Sequence, residues 1–152
     1  AQLRRFKLIL DTSADFVPDL LKYRPYLIKP NDEELAEWFG LINPSLEEIK
    51  DCGQKLLEKG AENVLVSLGE KGAILFTPTE TIHVTAPKGE VVNTACAGDT
   101  LLATFVGSQL LGLSNEEALI KAVAAGSSTA FRPGLTDFSD VPTLMQQIKR
   151  IL

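Results

Sequence analysis

The run Asn63-Val64-Leu65-Val66-Ser67-Leu68 restricts the fold more than any other stretch of the chain. It is continuously apolar at its centre and lacks the alternation of a half-exposed strand. A strand of that kind is buried on both faces, as the strands of parallel sheets are. Gly69-Glu70-Lys71-Gly72 makes a turn after it, and Ala73-Ile74-Leu75-Phe76 returns as a second strand. Two apolar runs around two permissive glycines read as a hairpin. Thr81-Ile82-His83-Val84-Thr85 alternates, which places His83, the chain's single histidine, on a solvated face opposite Ile82 and Val84. The sheet is therefore expected to carry a short antiparallel section over residues 64–84.

Elsewhere strands alternate with helices. Residues 6–10 and 26–29 read as short strands, the second ended by Pro30, and residues 17–22 as a short helix. Asn31 suits the N-cap of a helix running to Phe39, with Glu34 three residues on and Gly40 as its stop. Ser45 with Glu48, and Ser114 with Glu117, form the same capping box for two more helices. Cys52 and Gly53 interrupt the first of these at some cost. Residues 98–111 are apolar nearly all round, which predicts a helix buried on most sides. Residues 142–151 predict a last amphipathic helix with Leu144, Ile148 and Ile151 inward. The order is that of an α/β layer architecture.

Composition acts by exclusion. The formal net charge is −5 and no basic cluster stands out, which disfavours nucleic acid as a partner. No apolar run is long enough to span a bilayer, and the first residues lack a signal-peptide core. Cys52 and Cys96 are too few for a disulfide framework and lack metal-ligand spacing, so a reducing cytoplasm is the expected setting. The chain does not begin with Met and reads as a piece of something larger.

The chemistry concentrates in Val91-Val92-Asn93-Thr94-Ala95-Cys96-Ala97-Gly98-Asp99-Thr100. Two β-branched residues lead into a turn of small residues, and a helix pattern follows with an acid just inside its start. Helix N-termini carry unpaired N–H groups and partial positive charge, and small residues let an anion approach. This turn can offer N–H groups to developing negative charge, and Asp99 can receive the proton of an attacking hydroxyl. Those are the requirements of phosphoryl transfer. A metal ion would screen the phosphates, with Glu34 and Asn31 as candidates at the strand-end edge where α/β proteins bind ligands. On spacing alone Asn31 and Glu34 are a helix cap. Asp99 has its own plain explanation as a first-turn acid, worth roughly 0.3–1 kcal/mol.

Three of these motifs resemble those of one family. Residues 92–100 are similar to the second signature of the PfkB carbohydrate kinases of the ribokinase-like superfamily. Lys29-Pro30-Asn31-Asp32-Glu33-Glu34 resembles the family's K-P-N-x-x-E motif, and Ser67-Leu68-Gly69-Glu70-Lys71-Gly72-Ala73 its nucleotide-site turn. Asp11-Thr12-Ser13 and residues 126–131 resemble the 1-phosphofructokinase branch in particular, with tagatose-6-phosphate and 6-phosphofructokinases as close alternatives.

The resemblance implies a three-layer α/β/α ribokinase-like fold, mainly parallel with an antiparallel edge section. It covers nearly all of residues 1–152 as one partial domain, the ATP-binding C-terminal half of a kinase. ATP and Mg²⁺ would be the cofactors, a sugar phosphate the substrate, and a homodimer through the absent lid region a further partner. Asp99 would be the base, with Ala97 and Gly98 in the anion hole. Ser67, Gly69 and Gly72 would line the ATP phosphates and ribose, and Ser128 would sit near the adenine. Asn31 and Glu34 would organise magnesium and phosphate.

Two departures qualify this. Cys96 stands where the family's turn has its first glycine, so the turn is expected to avoid conformations that only glycine adopts, with Cys96 a small buried hydrophobe. The half that would bind sugar is not in the sequence, so the piece alone is expected to be inactive and to expose apolar sheet edge. A non-catalytic module that senses nucleotide or sugar phosphate is the competing expectation.

Overall fold

The computed structural model describes residues 7–11 and 17–152. The expected strand over residues 6–10 is β1, Ile9–Leu10, and Thr12 and Ser13 lie outside the described residues. A 3₁₀ segment, Val17–Tyr23, leads to β2, Leu27–Ile28. Then come α1 (Asp32–Phe39), α2 (Leu46–Glu58), β3 (Val64–Ser67), β4 (Ala73–Phe76) and β5 (Thr81–Val84). The last elements are α3 (Ala97–Leu110), α4 (Asn115–Ala130) and α5 (Val141–Met145). The strands lie in one sheet in the order β1-β2-β3-β4-β5, and β2 is parallel to both β1 and β3. The links from β3 to β4 and from β4 to β5 are too short for a parallel crossover, so this end of the sheet is antiparallel, as expected.

The chain divides into two compact units. Of the described residues, one comprises those up to residue 67 together with 75–81, the other residues 68–74 and 82–152. In the first, β2 and β3 are wholly buried up to Val66, and Leu35 of α1 and Ile49 and Leu56 of α2 are buried too, with α2 packed against β3. The sequence break at Gly53 has a packing reason. A Cβ there would fall 2.3 Å from Phe76 Cζ, so the bare helix backbone is the seat for a fully buried ring. Cys52 beside it is buried, and that desolvation pushes its thiol pKa up.

The second unit corrects three expectations. His83 is 4% exposed rather than solvated, with Nε2 3.2 Å from the Lys71 carbonyl oxygen. Its strand is not the outer one it resembles. Residues 149–152 run antiparallel beside it, with Ile151 N–H donating to His83 O at 2.8 Å and Thr85 N–H to Lys149 O at 2.9 Å. That pairing is also why the final helix stops at Met145 instead of reaching residue 151. Leu144 and Ile148 are still buried, while the backbone beyond them satisfies itself on β5. Third, α3 is not buried on most sides. Leu101, Phe105 and Ser108 form one buried stripe, whereas Leu110 and Leu111 are 79% and 75% exposed. Among the described residues, large apolar side chains are also exposed at Ile42, Val91, Val92 and Leu135, and at Leu8 beside β1.

Gly72 is fixed by contact as well as conformation. It takes φ +91°, and a Cβ would fall 1.9 Å from the Val84 carbonyl oxygen. Among the described residues no helix is long and apolar enough to cross a membrane.

Candidate active site

Each unit holds part of the expected set. In the first, Asn31 follows β2 and pairs with Ser67 at the end of β3 through a parallel bridge. Ser67 N–H donates to Pro30 O at 3.1 Å, so the two strand ends are locked in register. The capping box is complete. Asn31 Oδ1 accepts from Glu34 N–H at 2.8 Å, and Glu34 Oε1 accepts from Asn31 N–H at 3.4 Å. Gly40 ends α1 in the left-handed conformation, as expected. The sequence did not single out the ion pair just before this helix, Lys29 Nζ to Asp11 Oδ1 at 3.4 Å. Lys29 is only 7% exposed, and a lysine buried at a strand end needs such a partner.

The box decides which donors are left for a metal. Asn31 Oδ1 accepts the cap bond with one of its two lone pairs, so the side chain is held in place by the helix it starts. Glu34 is half-buried and keeps its second carboxylate oxygen. Among the described residues no group of three His, Cys, Asp or Glu converges. The carboxylate oxygen that Glu34 keeps is the donor this helix start could offer to a cation.

In the second unit the expected catalytic turn opens α3. Asn93 Oδ1 accepts from Ala95 N–H at 2.9 Å, and the N–H groups of Val92 and Asn93 both donate to Ala130 O, so the lead-in is tied to the end of α4. Cys96 is the N-cap, and it adopts φ 65°, ψ 1°. This corrects two expectations. The residue in the glycine position takes the left-handed conformation after all, and it is exposed rather than buried. Its side chain makes no capping hydrogen bond.

The amides of the turn are unequal. Ala97 N–H donates to Thr94 O at 3.2 Å and closes the turn. Among the described residues the N–H groups of Cys96, Gly98 and Asp99 have no such acceptor, so within the first turn of the helix the open donors are Gly98 and Asp99, while Ala97 is engaged. Asp99 is exposed, and among the described residues its carboxylate has no hydrogen-bond or ion-pair partner. Two free N–H donors and a free carboxylate on one helical turn can hold an anion and take up a proton beside it.

Gly69 (φ +58°) and Gly72 frame a 3₁₀ turn, Gly69–Lys71, closed by Leu68 N–H to Gly72 O at 2.8 Å. Ser128 is wholly buried on α4. Its hydroxyl donates to Asp140 Oδ1 and lies 2.6 Å from Thr136 Oγ1, so it is engaged with protein and not open to a base. Arg132 braces the same corner, 3.1 Å from Asp140 and 3.0 Å from Asp137. Ser139, through its hydroxyl and amide, and then Arg132 hold the Asp137 carboxyl well below the usual carboxylate range.

Fold and site together define an α/β protein with an uncapped, anion-ready helix start and a carboxylate in its first turn. Comparison gives the family. The model of the pfkB family carbohydrate kinases matches residues 2–143, and the chain belongs to that family. It is 53% identical to the D-tagatose-1-phosphate kinase of Bacillus licheniformis, over 95% of this chain and 48% of the relative. It is 38% identical to the 1-phosphofructokinase of Bacillus subtilis, over 94% and 47%. Among solved structures it resembles phosphofructokinase-2 from Escherichia coli, crystallised with substrates and products, with TM-score 0.84, 26% identity and coverage of 92% and 47%. It also resembles ribokinase from Arabidopsis thaliana, complexed with ribose and ATP, with TM-score 0.80, 32% identity and the same coverage. The fold is thus ribokinase-like, and the chain spans about half the length of the relatives it matches.

Proposed function

We propose that this chain is the phosphoryl-transfer half of an ATP-dependent sugar-phosphate kinase acting in the cytoplasm. The observation that carries the proposal is the start of α3, with N–H groups open at Gly98 and Asp99 and an unpartnered Asp99 carboxylate. In the transfer, the sugar hydroxyl attacks the γ-phosphorus of ATP and the bond to ADP breaks. The hydroxyl proton passes to Asp99 as the new P–O bond forms. The open N–H groups meet the charge that builds on the transferring oxygens. Gly69, Gly72 and Ser67 would serve the nucleotide. Glu34 would hold a magnesium ion through water, and that ion would supply charge neutralisation on the phosphates. A homodimer through the half not spanned here belongs to the same proposal.

Fructose 1-phosphate, converted to fructose 1,6-bisphosphate, is the preferred substrate, since Asp11 and residues 126–131 resemble the 1-phosphofructokinase branch. The 53% identity to a relative named D-tagatose-1-phosphate kinase supports a second reading, the corresponding tagatose ester. Both are ketohexose 1-phosphates. Tagatose-6-phosphate kinase and 6-phosphofructokinase activities are the alternatives. A module that binds without turnover is the competing reading, and the left-handed Cys96 at the turn is where the two would differ.

The test joins this chain to the half of the B. licheniformis kinase that it does not span and measures ADP release with fructose 1-phosphate and with tagatose 1-phosphate. Turnover is expected in the joined enzyme and not in the 152-residue chain alone. ATP binding without turnover on any ketohexose phosphate would favour the binding module instead.

A further inference from the structure

The carbonyl of Cys96, at the left-handed residue, is held from two directions by one neighbour. Thr100 donates to it from its backbone N–H at 2.9 Å and from its hydroxyl at 2.9 Å. Thr100 Oγ1 in turn accepts from the Thr129 hydroxyl on α4 at 3.2 Å. Thr129 Oγ1 accepts from the Thr136 N–H at 3.2 Å. Each hydroxyl has a single proton, so the direction is fixed: Thr136 N–H to Thr129, Thr129 to Thr100, Thr100 to the Cys96 carbonyl. Thr129 is 2% exposed and has no water to fall back on. A helical threonine can bond its own preceding turn instead. Thr129 reaches across to the neighbouring helix.

The helices are close enough for this because of Gly126, one turn earlier on α4. A Cβ there would stand 3.1 Å from the Ala97 carbonyl oxygen and 3.3 Å from Leu101 Cβ. The backbone at Cys96 is in a conformation that side-chain-bearing residues avoid, so it needs an outside hold. The peptide it anchors is the one before Ala97, and the orientation of the Gly98 and Asp99 amides follows from it.

We propose that Thr129, acting through Thr100, is a positioning residue for phosphoryl transfer: the hydroxyl chain fixes the turn that aims the open amides and the Asp99 carboxylate. This rests on the assignment of the α3 start as the transfer site.

In the joined enzyme, Thr129→Val is expected to lower kcat about 10–100-fold, the scale of a small misplacement of reacting groups, with the KM for fructose 1-phosphate little changed. Thr129→Ser, which keeps the hydroxyl, restores kcat. If Thr129→Val does not fold, Thr100→Val, at a half-buried position, breaks the same chain and shows the same loss. In the 152-residue chain the Thr100 amide, whose acceptor is the held carbonyl, exchanges its hydrogen faster in Thr129→Val and not in Thr129→Ser. Asp99→Asn is assayed in parallel. Unchanged kcat in Thr129→Val beside a dead Asp99→Asn overturns the positioning role and leaves the transfer site standing. So does a Thr129→Ser enzyme as slow as Thr129→Val, or an unchanged Thr100 exchange rate. Full turnover in Asp99→Asn overturns the site assignment and the positioning role with it.

Discussion

The starts of α1 and α3 are opposite solutions to one problem. Both are helix N-termini with donors that the helix cannot satisfy. At α1, Asn31 and Glu34 close a reciprocal box, and the same arrangement recurs with Ser45 and Glu48 on α2 and Ser114 and Glu117 on α4. At α3 the cap position is a left-handed cysteine with no side-chain bond, and the amides of Gly98 and Asp99 stay open. A cap typically adds about 1 kcal/mol, so leaving α3 uncapped forgoes stability; the five-residue α5 also lacks a side-chain cap, but Pro142 in its first turn has no N–H to satisfy. The difference teaches where to look for function: among the helices of eight residues or more, the start that no side chain caps is the one available to a ligand.

The first way to break the comparison is to remove a first-turn acid from each helix. Asp99→Asn is expected to lower turnover of the joined enzyme about 10²–10⁴-fold, the range of a lost general base, with ATP binding retained. Asp32→Asn at the start of α1 is expected to leave turnover intact. Equal effects from the two would erase the distinction. Next in size, Ser114→Ala should cost about 1 kcal/mol in urea unfolding and leave kcat unchanged, because that cap serves only the helix. The smallest effect is at the uncapped start itself. Cys96→Gly should gain roughly 0.5–1 kcal/mol, since relief of a left-handed side chain outweighs the added freedom of glycine in the unfolded chain. A loss of stability would mean that the thiol makes contacts that offset the strain.

What could be read in the sequence follows the range of the interactions. The capping boxes and the αL stop at Gly40 were legible because each is decided within a few residues. So was the antiparallel turn between Val64 and Phe76, where two glycines punctuate two apolar runs. His83 was not legible, because its burial depends on residues 149–152, some seventy positions away. The same pairing cut α5 short, although Leu144 and Ile148 have helical spacing and are buried. The exposure of Leu110 and Leu111 could not be seen in a run apolar on every side. At the candidate site the signature singled out Asp99, Gly98 and Ala97 as candidates, but could not show that Ala97 N–H closes the turn. Nor could it show that Ser128 faces Asp140 and Thr136, or that Thr129 reaches Thr100. Those are matters of how α4 lies on α3, and small residues such as Gly126 only hint at close approach.

The central claim is that the uncapped start of α3 receives the nucleotide's phosphate. The direct measurement is the amide spectrum of the ¹⁵N-labelled chain titrated with MgATP. The account predicts that the largest movements are at Gly98 and Asp99, with the capped amides of Glu48 and Glu117 unmoved. Movement centred on a capped helix start, or still amides at Gly98 and Asp99 in excess MgATP, would contradict it.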